Sequence, residues 1–152
     1  MDSQDTQVLA AARRWAAAGH RFTLVTVART WGSAPRPPGA WMVLRDDGQV
    51  QGSVSGGCIE TDLIDRLLAG DFTTTAPFVQ RYGVTQEEAR RYGLPCGGSM
   101  ELIIEPSPDL ASLQTLVERI AAGQLVRRSV VIGQPGASIA AGSAGDGLEW
   151  DG

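Results

Sequence analysis

Two short segments of the chain combine a cysteine with paired glycines, Ser55-Gly56-Gly57-Cys58 and Cys96-Gly97-Gly98. The first lies between a predicted strand and a predicted helix, where backbone amides and small residues allow an anion to approach. The same position lowers the pKa of a thiol, so Cys58 is a candidate nucleophile or soft-metal ligand. Glu60 and Asp62 in the first helical turn oppose an anion unless they point away.

The second segment suggests a site shared by two thiols. Cys58 and Cys96 could both contact one soft atom, either sulfur or a thiophilic metal such as molybdenum or copper(I). The alternative is that each is a small packing residue, because free cysteine is among the most buried residue types. With two cysteines and one histidine, the chain is a poor candidate for a structural zinc site.

A proline-rich loop at residues 32–39 supplies a candidate anion clamp. Arg36 stands among three prolines, and Arg29 precedes the loop at the end of a predicted strand. The two guanidinium groups could bind a phosphate or a carboxylate in bidentate fashion. The prolines reduce the entropy lost when the loop is ordered. The alternative is a stiff surface connection with solvated arginines.

The remaining chemically active side chains are a histidine and several tryptophans. His20 is the only histidine, so a Cys–His catalytic pair would have to use it. Its position after Gly19 favours a solvated or helix-capping role instead. Trp15, Trp31 and Trp41 are expected to fill the core, with stacking on a ring as an alternative for Trp31.

Hydrophobic periodicity predicts the elements that carry these segments. Apolar residues at helical spacing predict helices, and alternating β-rich runs predict strands. The run 22–30 is apolar on both faces and is therefore expected to be a central strand. The predicted fold class is α+β, a mixed β-sheet with helices packed against it in a single domain. Expected helices cover residues 6–18, 59–69, 86–92 and 113–122, and expected strands cover 22–30, 41–44, 49–54, 76–82, 99–105 and 128–132.

Composition excludes several functional classes. The 152 residues carry a net charge of −4 and all thirteen basic residues are arginine, with no basic cluster larger than a pair. This balance argues against a nucleic-acid binder. No apolar run approaches the roughly 18 residues of a membrane span. The polar N-terminus lacks the features of a secretory signal, so a cytoplasmic location with reduced thiols is expected.

The motifs together resemble a known family. Residues 26–60 carry Gly-Ser-x-Pro-Arg-x-x-Gly and Ser-Gly-Gly-Cys-x-Glu, and residues 94–106 carry Cys-Gly-Gly. This combination is similar to the N-terminal domain of the XdhC/CoxI family, whose members are accessory proteins of molybdenum hydroxylases. The resemblance spans roughly residues 8–106, and the predicted XdhC/CoxI-like N-terminal domain covers residues 1–106. Residues 107–152 are expected either to complete that domain as a degenerate helix–strand–hairpin repeat or to begin a truncated further region.

The resemblance implies a function in cofactor handling. Members bind the molybdenum cofactor (molybdopterin), assist its sulfuration and protection, and insert it into a hydroxylase such as xanthine dehydrogenase or carbon monoxide dehydrogenase. The implied partners are an apo molybdenum hydroxylase, a cysteine desulfurase and a second copy of the chain in a homodimer. The implied cofactor-binding residues are Ser33, Arg36, Gly39, Ser55, Gly56, Gly57, Cys58, Cys96, Gly97 and Gly98, with the two cysteines as candidate contacts to molybdenum or sulfur.

Three functional classes therefore stay open. The leading interpretation is a non-catalytic cofactor chaperone. The second is a cysteine-dependent enzyme of the sulfurtransferase or acyl-transfer type, with Cys58 as nucleophile and the turn amides as an oxyanion hole. That enzyme needs a base within reach, for which the sequence offers His20, Glu60 or another carboxylate. The third is a protein-interaction domain in which the motifs are structural.

Overall fold

Five antiparallel strands form the main sheet. In chain order they are β1 (Phe22–Trp31), β2 (Trp41–Arg45), β3 (Val50–Gly52), β4 (Phe78–Tyr82) and β5 (Ser99–Glu105). The computed structural model describes residues 3–32, 36–55, 57–72, 74–83, 85–91 and 98–142. The spatial order is β3-β2-β1-β5-β4, so the strand expected at the centre of the sheet is the central one.

Helices cover the sheet, and a small hairpin follows it in the chain. The helices are α1 (Ser3–Ala17), α2 (Cys58–Leu68), α3 (Gln86–Arg91) and α4 (Leu110–Ala121). The hairpin pairs β6 (Val126–Ser129) with β7 (Ser138–Ala141) in a separate two-stranded sheet. The predicted α+β class, with helices packed on a sheet in a single domain, is confirmed. The strand expected at 128–132 begins two residues earlier, at Val126, and ends three residues earlier, at Ser129.

The two faces of the sheet are packed by different helices. On one face, α2 contributes Ile59 and Leu63 to a fully buried cluster with side chains of the four longer strands. On the other face, α1 and α4 pack together over β1 and β2. Apolar side chains of β1 alternate between these clusters, Val25 and Val27 facing α2 while Phe22 and Leu24 face α1 and α4. The core therefore has three layers, with the sheet in the middle.

A β-bulge changes the phase of β1 near its end. Val27 pairs with Leu102, but the next register pair is Arg29 with Glu101, which leaves Ala28 as an extra residue. A bulge of this kind re-aims the side chains that follow it. Because opposed residues of antiparallel strands share a face, Arg29 lies on the Glu101 face of the sheet. In uninterrupted alternation Arg29 would face the side of Val27.

The β2–β3 hairpin closes with the turn that Asp46-Asp47-Gly48 predicts. Gly48 has a φ of 94°, a conformation that glycine adopts without strain. Nε and Nη2 of Arg45 donate to the two carboxylate oxygens of Asp47 over 2.8 and 2.6 Å. The pair links the end of β2 to the turn that follows it.

This pair predicts a measurable titration. The hydrogen bonds from Arg45 lower the pKa of Asp47 to about 2. Because the folded value lies below the usual carboxyl pKa of about 3.9, the stabilisation is present above that pH and is lost as the pH falls toward 2. We expect a carbon-detected NMR titration of Asp47 to have its midpoint near 2. In Arg45→Gln the midpoint should return toward 3.9, and an unchanged midpoint would contradict the assignment to Arg45.

Candidate functional site

The strand topology brings the three predicted motif segments to one end of the sheet. At this end, named here the motif end, β1, β3 and β4 finish and β2 and β5 begin, as the pairs Trp31–Ser99, Met42–Gly52 and Tyr82–Met100 establish. The loop with Arg36 follows β1, the turn with Cys58 follows β3, and the segment with Gly98 precedes β5. Segments that are far apart in sequence therefore lie together at one end of the sheet.

Two of these segments are in close backbone contact. A Cβ built on Gly32 would lie 3.1 Å from Cα of Gly98, and Gly32 has a φ of 70°. Side chains larger than hydrogen would separate the two backbones at this point. Gly98 is buried. The loop that carries Arg36 is therefore packed directly against the segment that carries the second Cys-Gly-Gly motif.

Arg36 connects its loop to the segment before Cys58. Its Nη1 donates to the backbone carbonyl of Ser53 over 3.2 Å and also to the side-chain oxygen of Gln4 on α1. Gly39, with a φ of 93°, turns the same loop back so that its amide donates to the carbonyl of Val27. The half-buried guanidinium thus fastens two motif segments and the start of α1 to each other.

The turn before α2 is organised by a buried serine–glutamate pair. Ser55 Oγ donates to the Glu60 carboxylate, 2.9 Å from Oε2, and both residues are buried. The amide of Gly57 donates in turn to Ser55 Oγ over 3.3 Å. This amide is therefore committed within the turn rather than available to an anion. Glu60, which the sequence analysis treated as an opposing charge and as a candidate base, is a structural part of the turn.

The Asp62 side chain is also held away from the turn before α2. It accepts a 2.6 Å hydrogen bond from the hydroxyl of Tyr82, the last residue of β4. Burial, followed by this hydrogen bond, raises the pKa of Tyr82 above its usual range. Tyr82 is thus a neutral donor that holds α2 against the sheet. The condition that the two acidic residues point away is met for Asp62 by Tyr82 and for Glu60 by Ser55.

Cys58 is the first residue of α2 and is exposed. Its preceding residue, Gly57, caps the helix with a φ of 125°, which only glycine adopts readily. The expectation of a buried packing role therefore does not hold for Cys58. Ser33, Gly56, Cys96 and Gly97 lie outside the described residues. Within the described ranges, no group of three metal-ligating side chains occurs.

His20 and Cys58 lie at opposite ends of the sheet. His20 precedes β1 and its Nδ1 is 3.2 Å from Oδ1 of Asp46 in the β2–β3 turn. The ten residues of β1 span about 30 Å between that end and the motif end. The solvated role expected for His20 agrees with its position, and a Cys58–His20 catalytic pair is not formed.

The tryptophans divide between core and surface. Trp15 is buried and Trp41 packs against the same cluster, as expected. Trp31 was expected in the core, and this is wrong because 47% of its surface is exposed. It follows the bulge as the last residue of β1, so its side chain stands at the motif end beside Gly32. The alternative expectation, a ring available for stacking, is the one that its exposure allows.

Comparison with known proteins agrees with this arrangement of motifs. Residues 15–83, which include the Arg36 loop and the Cys58 turn, match the XdhC and CoxI family. The matched residues are similar to that family. The recognition predicted from the motifs is thereby confirmed. The match ends before Gly98, and β5, which follows Gly98, pairs with β1 of the matched residues.

Two individual proteins are similar to the chain. One, from Escherichia coli strain K12, is described as the molybdenum cofactor insertion chaperone PaoD; it is 35% identical over 114 residues, covering 66% of this chain and 32% of that protein. The other is a crystal structure described as a xanthine dehydrogenase from Bacillus halodurans, with a TM-score of 0.63 and 26% identity over 79% of this chain and 37% of that one. The chain thus spans about a third of the length of each. In the described ranges, no helix has the length and apolarity to cross a membrane.

Proposed function

We propose that the motif end binds the molybdenum cofactor as cargo, protects it during sulfuration and delivers it to an apo molybdenum hydroxylase. The observation that carries the proposal is the convergence of the segments with Arg36, Cys58 and Gly98 on one end of the sheet. The similarity to a molybdenum cofactor insertion chaperone supports the same direction.

The residues have the chemistry that this cargo requires. Cys58 presents an exposed thiol at a helix start, and thiolates are the protein ligands that bind soft metals and sulfur. Cys96, two residues before the buried Gly98, is proposed to approach the same end of the cofactor. Glycines that allow close backbone approach, with Arg36 and Ser55 holding the segments in place, complete the proposed contact set.

Cofactor retention tests the proposal. The chain is coexpressed with a molybdenum-cofactor pathway, purified by affinity and assayed for molybdenum and for the oxidised pterin by fluorescence. We expect near-stoichiometric molybdenum with the wild type and a loss of at least tenfold in Cys58→Ser, because a serine hydroxyl is a poor ligand for soft metals. His20→Ala, at the opposite end of the sheet, is the matched control. Equal retention in wild type, Cys58→Ser and Cys96→Ser would overturn the thiol contacts.

The finer parts of the proposal are a cysteine desulfurase as sulfur donor, a homodimer and a cytoplasmic location. The desulfurase and the homodimer are implied by the family resemblance, and the cytoplasmic location is expected from the polar N-terminus. Sedimentation of the purified chain measures the dimer, and radioactive sulfur transfer from a desulfurase to the retained cofactor measures the sulfuration step. The sulfurtransferase alternative makes a different prediction, which is turnover of persulfide on Cys58 without any cofactor.

A further inference from the structure

A row of four side chains on one face of the motif end is not used by the site as described so far. Arg29, Glu101 and Arg81 occupy directly paired positions on β1, β5 and β4. Trp31 stands two residues beyond Arg29, on the same face. We name these four residues the Arg–Trp row. They belong to three strands, so no sequence motif links them.

Glu101 anchors the arginines of the Arg–Trp row. Only 5% of its side chain is exposed, and its Oε1 lies 2.8 Å from Nε of Arg81 while its Oε2 lies 4.0 Å from Nε of Arg29. A buried carboxylate must be paired with a cation to be stable. Here two guanidinium groups share one carboxylate. The carboxylate holds Arg81 at Nε and draws Arg29 toward the same point of the sheet surface.

The row is open to solvent although its anchor is buried. The Arg81 side chain is 69% exposed and is held at Nε, and the Arg29 side chain is 38% exposed. Trp31 is 47% exposed. Alternate residues of a strand are about 7 Å apart, so the indole stands beside the guanidinium groups. An aromatic surface and preorganised guanidinium donors at that spacing suit a planar ring that carries a phosphate.

The bulge at Ala28 is what creates this row. With regular alternation, Arg29 and Trp31 would face α2, and Glu101 would be left opposite an alanine. The extra residue turns both side chains to the Glu101 face instead. Bulges occur preferentially beside functional sites, where they re-aim a side chain. Ser99, the register partner of Trp31, begins β5 directly after Gly98, so the row lies at the motif end of the sheet.

We propose that the Arg–Trp row binds a phosphorylated planar heterocycle, with the ring on Trp31 and the phosphate on Arg81 and Arg29. In the molybdenum cofactor the pterin and its phosphate have this chemistry, and a purine mononucleotide shares it. The inference rests on the proposed function only for the identity of the cofactor as ligand. The proposal assigns the phosphate to a pair of arginines. The turn before α2, which the sequence analysis treated as an anion site, is less suited because Ser55 engages the amide of Gly57.

Calorimetric titration of the full chain tests the row with three probes, GMP, guanosine and inorganic phosphate. We expect GMP to bind at least tenfold more tightly than either part alone. Arg81→Gln should lower GMP affinity about tenfold, to that of guanosine, because it removes charge-assisted hydrogen bonds. Trp31→Ala should lower it toward that of inorganic phosphate. Arg13→Gln removes an equally exposed arginine from the far half of α1 and should leave the affinity unchanged.

Cofactor retention by the same variants separates the two sources of the ligand. Loss of retention in Arg81→Gln and Trp31→Ala, with GMP unbound, supports a row specific for the cofactor. Binding of GMP that depends on both residues supports the row for any phosphorylated heterocycle, even if the chain retains no cofactor and the proposed function fails. If neither ligand depends on Arg81 and Trp31, the row is overturned, and the proposed function survives if Cys58→Ser still loses the cofactor.

Discussion

Replacement of Arg128 by alanine is expected to lower the free energy of unfolding by about 3–5 kcal/mol, which is the usual cost of breaking a buried ion pair by removing one partner. Nη1 and Nη2 of Arg128 donate to the two Glu105 oxygens over 3.1 and 2.8 Å, and both side chains are buried. Its Nε also donates to Ser112 on α4. The loss of Arg128 leaves a buried carboxylate at the end of β5 with no cation beside it.

Urea unfolding followed by circular dichroism measures this effect, and the next residue supplies the control. Arg127 has the same side chain but is exposed on β6, so Arg127→Ala should change the unfolding free energy by less than about 0.5 kcal/mol. The double variant Glu105→Leu/Arg128→Met removes both charges and should recover most of the loss. Equal effects of Arg127→Ala and Arg128→Ala would contradict a buried ion pair between β5 and the hairpin.

Gly52→Ala is expected to destabilise the fold by about 2–5 kcal/mol, from the combined cost of a left-handed alanine and an overpacked core. Gly52 ends β3 with a φ of 86°. A Cβ on this residue would stand 2.5 Å from the carbonyl oxygen of Trp41 and 2.5 Å from a methyl group of Val8. Val8 is fully buried on α1, so neither neighbour has room to move away.

Gly70→Ala is the matched control for this substitution. Gly70 has a similar φ of 78°, but no atom lies within 4 Å of its Cβ position. Its replacement should therefore cost only the conformational strain, about 1–2 kcal/mol. The difference between the two variants in urea unfolding isolates the steric contact of Gly52. If both variants lose the same stability, the close packing of β3 against α1 and β2 is not what the structure indicates.

The alternation of residues 22–30 was sufficient to predict the central strand and its two packed faces. Side chains up to Val27 follow that alternation into the two clusters. The pairing of β1 with β5 was not predictable, because the two strands are separated by β2, β3, α2, β4 and α3 in the chain. The hairpin turn at Gly48 was predictable because its signal is local. Local sequence patterns predict turns and the periodicity of single helices and strands. The order of strands in the sheet depends instead on which faces of the sheet and helices are buried against each other.

The site was predictable as motifs but not as an arrangement. Arg36 and Cys58 were identified from residue type and neighbours, and their common position at the motif end follows from the strand order. Arg81 and Glu101 were missed because their charges are adjacent only across two strands. Trp31 was assigned to the core because the residues next to it in sequence give no indication of the bulge. A strand prediction that allowed for one extra residue at Ala28 could have found its exposure.

The bulge in β1 divides one strand into two stretches with different structural constraints. Before Ala28, a substitution alters how two helical layers adhere to the sheet; after it, a substitution alters what the surface of the sheet displays. The two properties can therefore vary independently within ten consecutive residues. A deletion of Ala28 would remove the bulge yet keep Arg29 opposite Glu101 and Trp31 opposite Ser99, whereas pairing Ala28 with Glu101 would turn both side chains toward α2. In this strand, the register with β5 determines which side chains the surface of the sheet displays.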